Sequence, residues 1–207
     1  MGAILLDAGG VFLLPNLDDV RAALGDCDFE QVRHAHHVAM RALDAAGPRQ
    51  HAYWSTFPRA LGANGQAPPL EELEAIRWTT VIAESVAALE SLSRRGPRLA
   101  IVSNADGRVE HDLLEYRICH RDEGPATRVD AILDSTVVGF EKPDPRIFKL
   151  ALEKLEVPPE RAVHVGDSVR MDVGGARAAG VRPLHLDPFG MCGDTDHEHV
   201  RSLSDLL

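Results

Sequence analysis

Short apolar runs near both ends of the chain indicate buried strands. The first run, residues 3–6, stops at Asp7 and a pair of glycines, as a strand does where it opens into a loop. Four later runs have the same character and are also predicted to be strands: residues 99–104, 131–139, 161–165 and 181–186.

Helices are predicted between these strands, where apolar residues recur with helical spacing. They cover residues 107–117, a segment that begins at Asp144 and Pro145, and a segment that ends at Gly180. Strands that alternate with helices form parallel sheets covered on both faces. The chain is therefore predicted to be an α/β protein with a doubly wound, Rossmann-like parallel sheet.

The long stretch between residues 18 and 95 has a different pattern. Its apolar residues recur at helical spacing without the alternation typical of strands, and Gly25, Gly47 and Gly62 stand where helices end. Because this block lies between two strands, we predict an inserted α-helical subdomain at residues 15–95. The core domain would then consist of residues 1–14 and 96–207.

Polar residues stand at the ends of the predicted strands. In parallel α/β sheets the binding crevice lies at the carboxyl ends of the strands. Asp7, Ser103 and Asp167 all fall at such ends, and Lys142 lies in a loop. We therefore predict that these side chains meet at one edge of the sheet.

Carboxylates grouped at that edge would repel one another without a cation between them. Asp7 and Asp167, with Asp172 close behind, supply oxygen ligands of the kind that bind Mg²⁺. Lys142 can neutralise Asp7 and hold a substrate anion. An aspartate in this position can also act as a nucleophile.

The substrate that suits these groups is small and anionic. Ser103 and Asn104 offer hydroxyl and amide donors to phosphate-like oxygens. The net charge of -10, without a run of lysine or arginine, argues against nucleic acid or an anionic membrane as a partner. A metal ion and a local cation can outweigh that charge at the site. We expect a monomer or a homodimer.

Three widely spaced cysteines give little sign of covalent cross-linking. Cys27, Cys119 and Cys192 fit neither a disulfide framework nor a zinc knuckle. No apolar run approaches the ~20 residues of a membrane span, and the first run is too short for a signal peptide. We therefore expect a cytoplasmic protein.

Four segments follow one another in a fixed order: ILLDAGGVF, IVSN, VVGFEKPDPRIF and VHVGDSVRMDVGGARAAG. They resemble motifs one to four of the haloacid dehalogenase (HAD) superfamily, in the subfamily IA-like branch with a helical (C1) cap inserted after the first strand. The resemblance covers almost the whole chain. Motif one is degenerate, whereas motifs three and four are specific.

The resemblance implies a function for each residue of the predicted edge. Asp7 would be the nucleophile and Ser103 would contact phosphate. Lys142 would neutralise Asp7 and hold the substrate anion. Asp167 would ligate Mg²⁺, and Asp172 would bind it through water or support the site from behind. The helical block would be the cap that closes the site and selects a small phosphorylated substrate.

Gly9 departs from the phosphatase pattern of that superfamily, which has a second aspartate two residues after the nucleophile. That aspartate protonates the leaving group and activates water, and losing such a group costs about 10²–10⁴ in rate. It binds magnesium through its backbone carbonyl, which Gly9 retains. The resemblance thus implies a Mg²⁺ site at Asp7, Gly9 and Asp167, with weakened or altered phosphatase activity.

Two other functions stay open on the sequence. One is a non-enzymatic member that binds a ligand or regulates, which Gly9 favours. The other is halide displacement, as in the 2-haloacid dehalogenases, which need no proton donor but lack the GDSxxxD motif present here. A Schiff-base mechanism like that of phosphonoacetaldehyde hydrolases is excluded, because the predicted cap contains no lysine.

Other residues have simpler explanations. The cap histidines are expected to be packed or solvated, although each is a candidate substitute acid: His34, His36, His37 and His51. Trp54 and Trp78 are expected in the core of the cap. The HEH segment at residues 197–199 is expected in a solvated tail, because its spacing offers no fourth metal ligand.

Overall fold

The computed structural model describes residues 2–47, 51–63, 67–122 and 124–207. The strands are β1 Ala3–Leu6, β2 Leu13–Pro15, β3 Trp78–Val81, β4 Arg98–Ser103, β5 Cys119–His120, β6 Thr127–Arg128, β7 Ala131–Asp134, β8 Ala162–Gly166, β9 Arg182–Leu186 and β10 Glu198–Val200. The helices are α1 Leu17–Leu24, α2 Phe29–Ala46, α3 Ala52–Leu61, α4 Leu70–Glu74, α5 Ala83–Ser93, α6 Val109–Glu115, α7 Ser135–Val138, α8 Pro145–Leu155 and α9 Gly175–Ala178. A π-helical turn at Val169–Gly174 leads directly into α9.

A parallel sheet forms the centre of the fold. Its strand order is β10-β9-β8-β1-β4-β7, and every neighbouring pair runs parallel. Ala3 and Leu5 of β1 pack with one apolar cluster, and Ile4 and Leu6 pack with another. Burial on both faces explains the continuous apolar run in the sequence of β1. The predicted α/β class with a Rossmann-like parallel sheet is confirmed.

The helical insertion has an apolar core of its own. Side chains of α2 and α3, among them Val32 and Phe57, belong to a third apolar cluster. Helices α1, α2 and α3 are followed by Gly25, Gly47 and Gly62, where the sequence predicted helix ends. In the described part of the chain, no helix combines the length and apolar character needed to cross a bilayer.

β3 is a strand inside a block that was predicted to be helical throughout, and that prediction was wrong. β3 pairs antiparallel with β2, with Leu14 opposite Thr80. Its consecutive residues Thr79, Thr80 and Val81 are β-branched, which favours an extended backbone. Four residues between two helices are too few for strand alternation to be recognised. The β2–β3 ribbon connects the insertion to the core.

α5 packs against the central sheet. Its residues Ala88, Leu89 and Leu92 belong to the same apolar cluster as Ile4 and Leu6 of β1. The domain division at residue 95 stays a prediction. We propose that the cap ends ahead of α5, because that helix shares its apolar contacts with the core.

Two other segments differ from the predicted elements. The strand predicted for residues 131–139 ends at Asp134, whose carboxylate accepts a hydrogen bond from the Thr136 N–H (3.0 Å) and begins α7. Beyond β9 the tail returns as β10, which pairs with β9 at the edge of the sheet. The polar sequence of β10 has no apolar pattern that would predict a strand.

Candidate active site

Asp7 lies at the carboxyl end of the central strand β1. Its N–H donates to the carbonyl of Val165 (2.9 Å), which extends the pairing of β1 and β8 by one residue. Its Oδ1 accepts a hydrogen bond from the Ala8 N–H (2.7 Å) and pairs with the Nζ of Lys142 (2.9 Å). The carboxylate is therefore held in one orientation at the edge of the sheet.

Lys142 is almost completely buried, with 2% of the residue exposed. Its ammonium contacts Asp7 and also Asp172 (2.7 Å), so the buried charge is compensated on two sides. Asn104 fixes its backbone, donating to the Lys142 carbonyl (2.9 Å) and accepting from the Lys142 N–H (2.7 Å). The amide of Asn104 thus positions the lysine, and its predicted contact with substrate stays a prediction.

Asp172 is bound from several sides. Besides Lys142, it accepts hydrogen bonds from the Nε2 of His164 (2.8 Å) and the Ser168 N–H (3.0 Å). Burial would raise the pKa of Asp172, but Lys142 and the bond from His164 together hold it below its ordinary value. Asp172 is therefore an anion that fixes Lys142 in place.

The carboxylates of Asp7, Asp167 and Asp172 converge beside this lysine, with one oxygen of each within 4.8 Å of the others. Burial, together with the two neighbouring carboxylates and despite Lys142, raises the pKa of Asp7 to about 6. Burial and then the nearby Asp172 raise the pKa of Asp167 well above its ordinary value. Burial is the largest cause of both shifts and the neighbouring carboxylates add to it, so a hard cation among the three would stabilise their charged forms.

Ser103 is the last residue of β4 and is buried. Leu6 of β1 pairs with Ile101 of β4, so Asp7 and Ser103 both lie just beyond that pair. Asp167 follows β8, the neighbour of β1 on its other side. The structure thus places these residues at one edge of the sheet, and their chemical roles stay predictions.

Gly9 faces the indole ring of Trp78 from β3. A β-carbon at Gly9 would lie 3.2 Å from Cζ3 and 3.5 Å from Cε3 of that ring. Trp78 packs with both the cap cluster and a core cluster, so it belongs to the boundary between them. The side chain of an aspartate at position 9 would therefore lie against the indole ring of Trp78.

His36 of α2 reaches from the cap to Asp167. Its Nε2 lies 2.5 Å from Oδ2 of Asp167, and its Nδ1 lies 2.9 Å from the hydroxyl oxygen of Tyr53. Burial lowers the pKa of His36 to about 3 and raises that of Asp167, so neither group gains by carrying charge here. Gly10, with φ +68°, is needed beside them, because a β-carbon there would collide with both side chains.

The other cap histidines differ from His36 in their surroundings. His51 is exposed beside Glu74 (3.2 Å), and His34 packs edge-on against Phe189. His37 is buried next to His36, with its ring edge towards it. Sequence position alone could not separate these four, because the contact with Asp167 depends on how the cap docks.

Asp44 is a second contact of the cap that sequence reasoning missed. This residue of α2 accepts hydrogen bonds from the Ser168 hydroxyl (2.5 Å) and the Val169 N–H (2.7 Å). Both donors belong to the segment that follows Asp167. The cap therefore touches the candidate metal site on two sides, through His36 and through Asp44.

Comparison with known proteins agrees with this fold. A family model for haloacid dehalogenase-like hydrolases matches residues 1–180. Haloacid dehalogenase-like hydrolase domain-containing protein 3 of Bos taurus is 35% identical over 179 residues, which cover 78% of this chain and 68% of that protein. The phosphoserine phosphatase of Thermus thermophilus is 36% identical over 152 residues, which cover 72% of this chain and 59% of that protein.

A solved structure shows the same fold at lower identity. A HAD phosphatase from Thermococcus onnurineus is similar with a TM-score of 0.60, over 100% of this chain and 96% of that chain, at 24% identity. The chain spans about two thirds or less of the length of the two curated relatives.

The chain belongs to the haloacid dehalogenase-like hydrolases. The predicted superfamily and the prediction of a hydrolase are confirmed. Among its curated relatives, the Thermus thermophilus protein is a phosphatase by name.

Proposed function

We propose that this protein is a Mg²⁺-dependent phosphatase that acts on a small phosphorylated molecule through Asp7. The observation that supports this most is the buried pair of Asp7 and Lys142 among three carboxylates. Ala8 and Lys142 both bind Oδ1 of Asp7, so Oδ2 is the oxygen that we expect to attack phosphorus.

The residues at this edge fit Mg²⁺, which prefers oxygen ligands and retains several waters. Asp7, Asp167 and the carbonyl of Gly9 would hold the ion. Asp172 would support them from behind, because its carboxylate already binds Lys142 and a loop N–H. The bound ion would neutralise charge that develops on the phosphoryl oxygens.

The chemistry proceeds through a covalent intermediate. Asp7 attacks phosphorus, the bond from phosphorus to the leaving oxygen breaks, and an aspartyl phosphate forms. Lys142 and Ser103 stabilise the charge on the transferred oxygens. Water then attacks the phosphorus, inorganic phosphate leaves, and the Asp7 carboxylate is restored.

The leaving group determines which substrates suit this site. Gly9 has no side chain to protonate the departing oxygen, so alkyl alcohols leave slowly. Acyl and aryl phosphates release stable anions and need no proton at that step. We therefore propose an acyl phosphate, or another phosphate with a good leaving group, as the substrate class.

A phosphate panel with Mg²⁺ tests this proposal. We expect acetyl phosphate and p-nitrophenyl phosphate to be hydrolysed about 10²-fold faster than glycerol phosphate, in line with the contribution of one acid group. Asp7→Asn should abolish turnover, whereas Asp112→Asn, at a carboxylate outside this group of three, should not change it. Turnover that survives Asp7→Asn contradicts the proposal, and halide release from 2-haloacids without Mg²⁺ would favour displacement chemistry.

The second candidate function is a non-enzymatic ligand-binding or regulatory role. It is favoured by the side chains around the carboxylates, where Trp78 faces Gly9 and His36 contacts Asp167. In that case the protein would bind phosphate compounds without converting them. The same panel separates the phosphatase from the non-enzymatic function. A non-enzymatic protein would bind the phosphates but turn over none of them.

A further inference from the structure

Three histidines and a cysteine come together at β9, β10 and the segment between these strands. They are His185, Cys192, His197 and His199, here called the tail cluster, and one ligand atom of each lies within 4.8 Å of the others. His199 of β10 lies opposite His185 of β9 in the parallel register. His197 directly precedes β10, and the centroid of its ring lies 4.5 Å from that of His199.

A turn brings the fourth member into reach. The carboxylate of Asp187 accepts hydrogen bonds from the N–H groups of Met191 (2.9 Å) and Cys192 (2.8 Å). These bonds fold the segment after β9 back on itself. The thiol of Cys192 then lies 3.7 Å from Nε2 of His197.

The spacing of these atoms matches the edges of a zinc tetrahedron. Zinc–nitrogen bonds of about 2.0–2.1 Å and zinc–sulfur bonds of about 2.3 Å give ligand separations of about 3.3 Å and about 3.6 Å. Nδ1 of His185 lies 3.1 Å from Nε2 of His197, and the sulfur of Cys192 lies 3.7 Å from that Nε2. Tetrahedral zinc therefore fits between the three atoms with small adjustments.

Hydrogen bonds on the far sides of two rings fix where their protons lie. Nε2 of His185 faces the backbone carbonyl of Asp167 (3.2 Å), which can only accept, so this nitrogen carries the proton. Nδ1 of His197 faces the Asp196 carboxylate (2.7 Å) and carries its proton for the same reason. In the neutral rings, Nδ1 of His185 and Nε2 of His197 each carry a lone pair and no proton. These two nitrogens face each other at 3.1 Å.

Two facing lone pairs repel unless a cation lies between them. The His197 side chain is fully buried, and His185 is nearly so. A carboxylate or a backbone carbonyl behind each ring is the arrangement that orients metal-binding histidines in proteins. Both features point to a bound metal ion rather than to a hydrogen bond between the rings.

We propose that the tail cluster binds one Zn²⁺ ion through three imidazole nitrogens and one thiolate. This ligand set is softer than the carboxylates beside Lys142, so the two sites select different ions. His199 is exposed, which gives the ion a path from solvent. Of the segment expected in a solvated tail, Glu198 and His199 are exposed, whereas the His197 side chain is buried. His185 and Cys192 would supply the ligands that the spacing of this segment lacks.

Cobalt substitution tests the site in the 207-residue chain. The protein is stripped with a chelator, kept reduced and titrated with Co²⁺, whose thiolate complexes absorb visibly. We expect one equivalent with tetrahedral bands and a thiolate-to-cobalt band that Zn²⁺ displaces. Cys192→Ser should remove the thiolate band, and Asp196→Asn should weaken zinc binding about 10- to 100-fold.

Two controls keep the tail cluster separate from the candidate active site. Cys27→Ser removes a cysteine outside the cluster and should leave the spectrum unchanged. Asp7→Asn should also keep the thiolate band, whatever it does to phosphatase activity. A wild-type zinc affinity in Cys192→Ser or His197→Gln, or cobalt binding without the thiolate band, overturns the proposal.

Discussion

At the scale of single residues, the proposed substrate class depends on the pair of Gly9 and Trp78. Glycine removes the proton donor that the superfamily has at this position, and the indole borders the space that a new side chain would enter. The φ of Gly9 is not in the left-handed region, so other residues are compatible with its backbone. Restoring an acid therefore requires room as well as a carboxyl group.

Replacing both residues should restore protonation of the leaving group. We expect Gly9→Asp in a Trp78→Leu background to raise kcat for an alkyl phosphate by about 10²-fold over Trp78→Leu alone. Gly9→Asp without the second change should gain less, because its β-carbon would lie 3.2 Å from the indole. Steady-state kinetics with glycerol phosphate measure the effect.

The matched control for this prediction is Gly9→Asn in the same background. Asparagine has the shape of aspartate but cannot donate or take up the proton. Equal rates for the two double variants would contradict a missing acid as the cause. Activity absent from every variant would instead favour the non-enzymatic function.

The sequence predicted some site residues and missed others for a physical reason. Asp7, Ser103 and Asp167 each end a buried strand, so parallel pairing is enough to bring them to one edge. His36 and Asp44 lie on a cap helix, and their contacts depend on how that helix docks against a loop more than 120 residues away. No local pattern encodes such a contact.

At the scale of elements, α2 is the connection between cap and candidate metal site. Asp44 near its end binds the hydroxyl of Ser168 and the N–H of Val169, while Asp28 caps its start. We expect Asp44→Ala to lower the free energy of unfolding by about 1.5–3 kcal/mol, the range for hydrogen bonds to a charged group. Amide exchange at Val169 should become faster.

Asp28→Ala is the control for the same helix. Loss of an N-cap costs about 1 kcal/mol and leaves the loop contacts intact. Exchange at Val169 should then stay as in the original protein. If both variants speed exchange at Val169 equally, the loop responds to helix stability in general and not to Asp44.

Strand prediction succeeded where burial leaves a continuous apolar run and failed elsewhere. β1, β4, β8 and β9 were predicted close to their observed bounds, because these strands of the parallel sheet are largely buried. β3 is short and lies between helices, and β10 is polar. The pairing of β10 with β9 is a tertiary feature, and the tail cluster could not be recognised without it.

At the scale of the whole molecule, the two proposed metal sites lie back to back. The ring of His185 donates through Nε2 to the backbone carbonyl of Asp167, whose side chain belongs to the candidate Mg²⁺ site. Ordering the tail with zinc would therefore also restrain the loop that follows β8. A net charge of -10 favours occupancy of both cation sites.

Zinc should raise thermal stability through the tail cluster alone. A ligand present at about 100 times its Kd stabilises the folded state by about 2.7 kcal/mol, which corresponds to a rise in Tm of about 5–10 °C for a chain of this size. The rise should occur in the chelator-treated original protein and in Asp7→Asn, and should be absent from Cys192→Ser. Differential scanning calorimetry with Zn²⁺ and separately with Mg²⁺ distinguishes the two sites, because Mg²⁺ has little affinity for a thiolate. A rise that Cys192→Ser retains and Asp7→Asn loses would place zinc at the carboxylates instead.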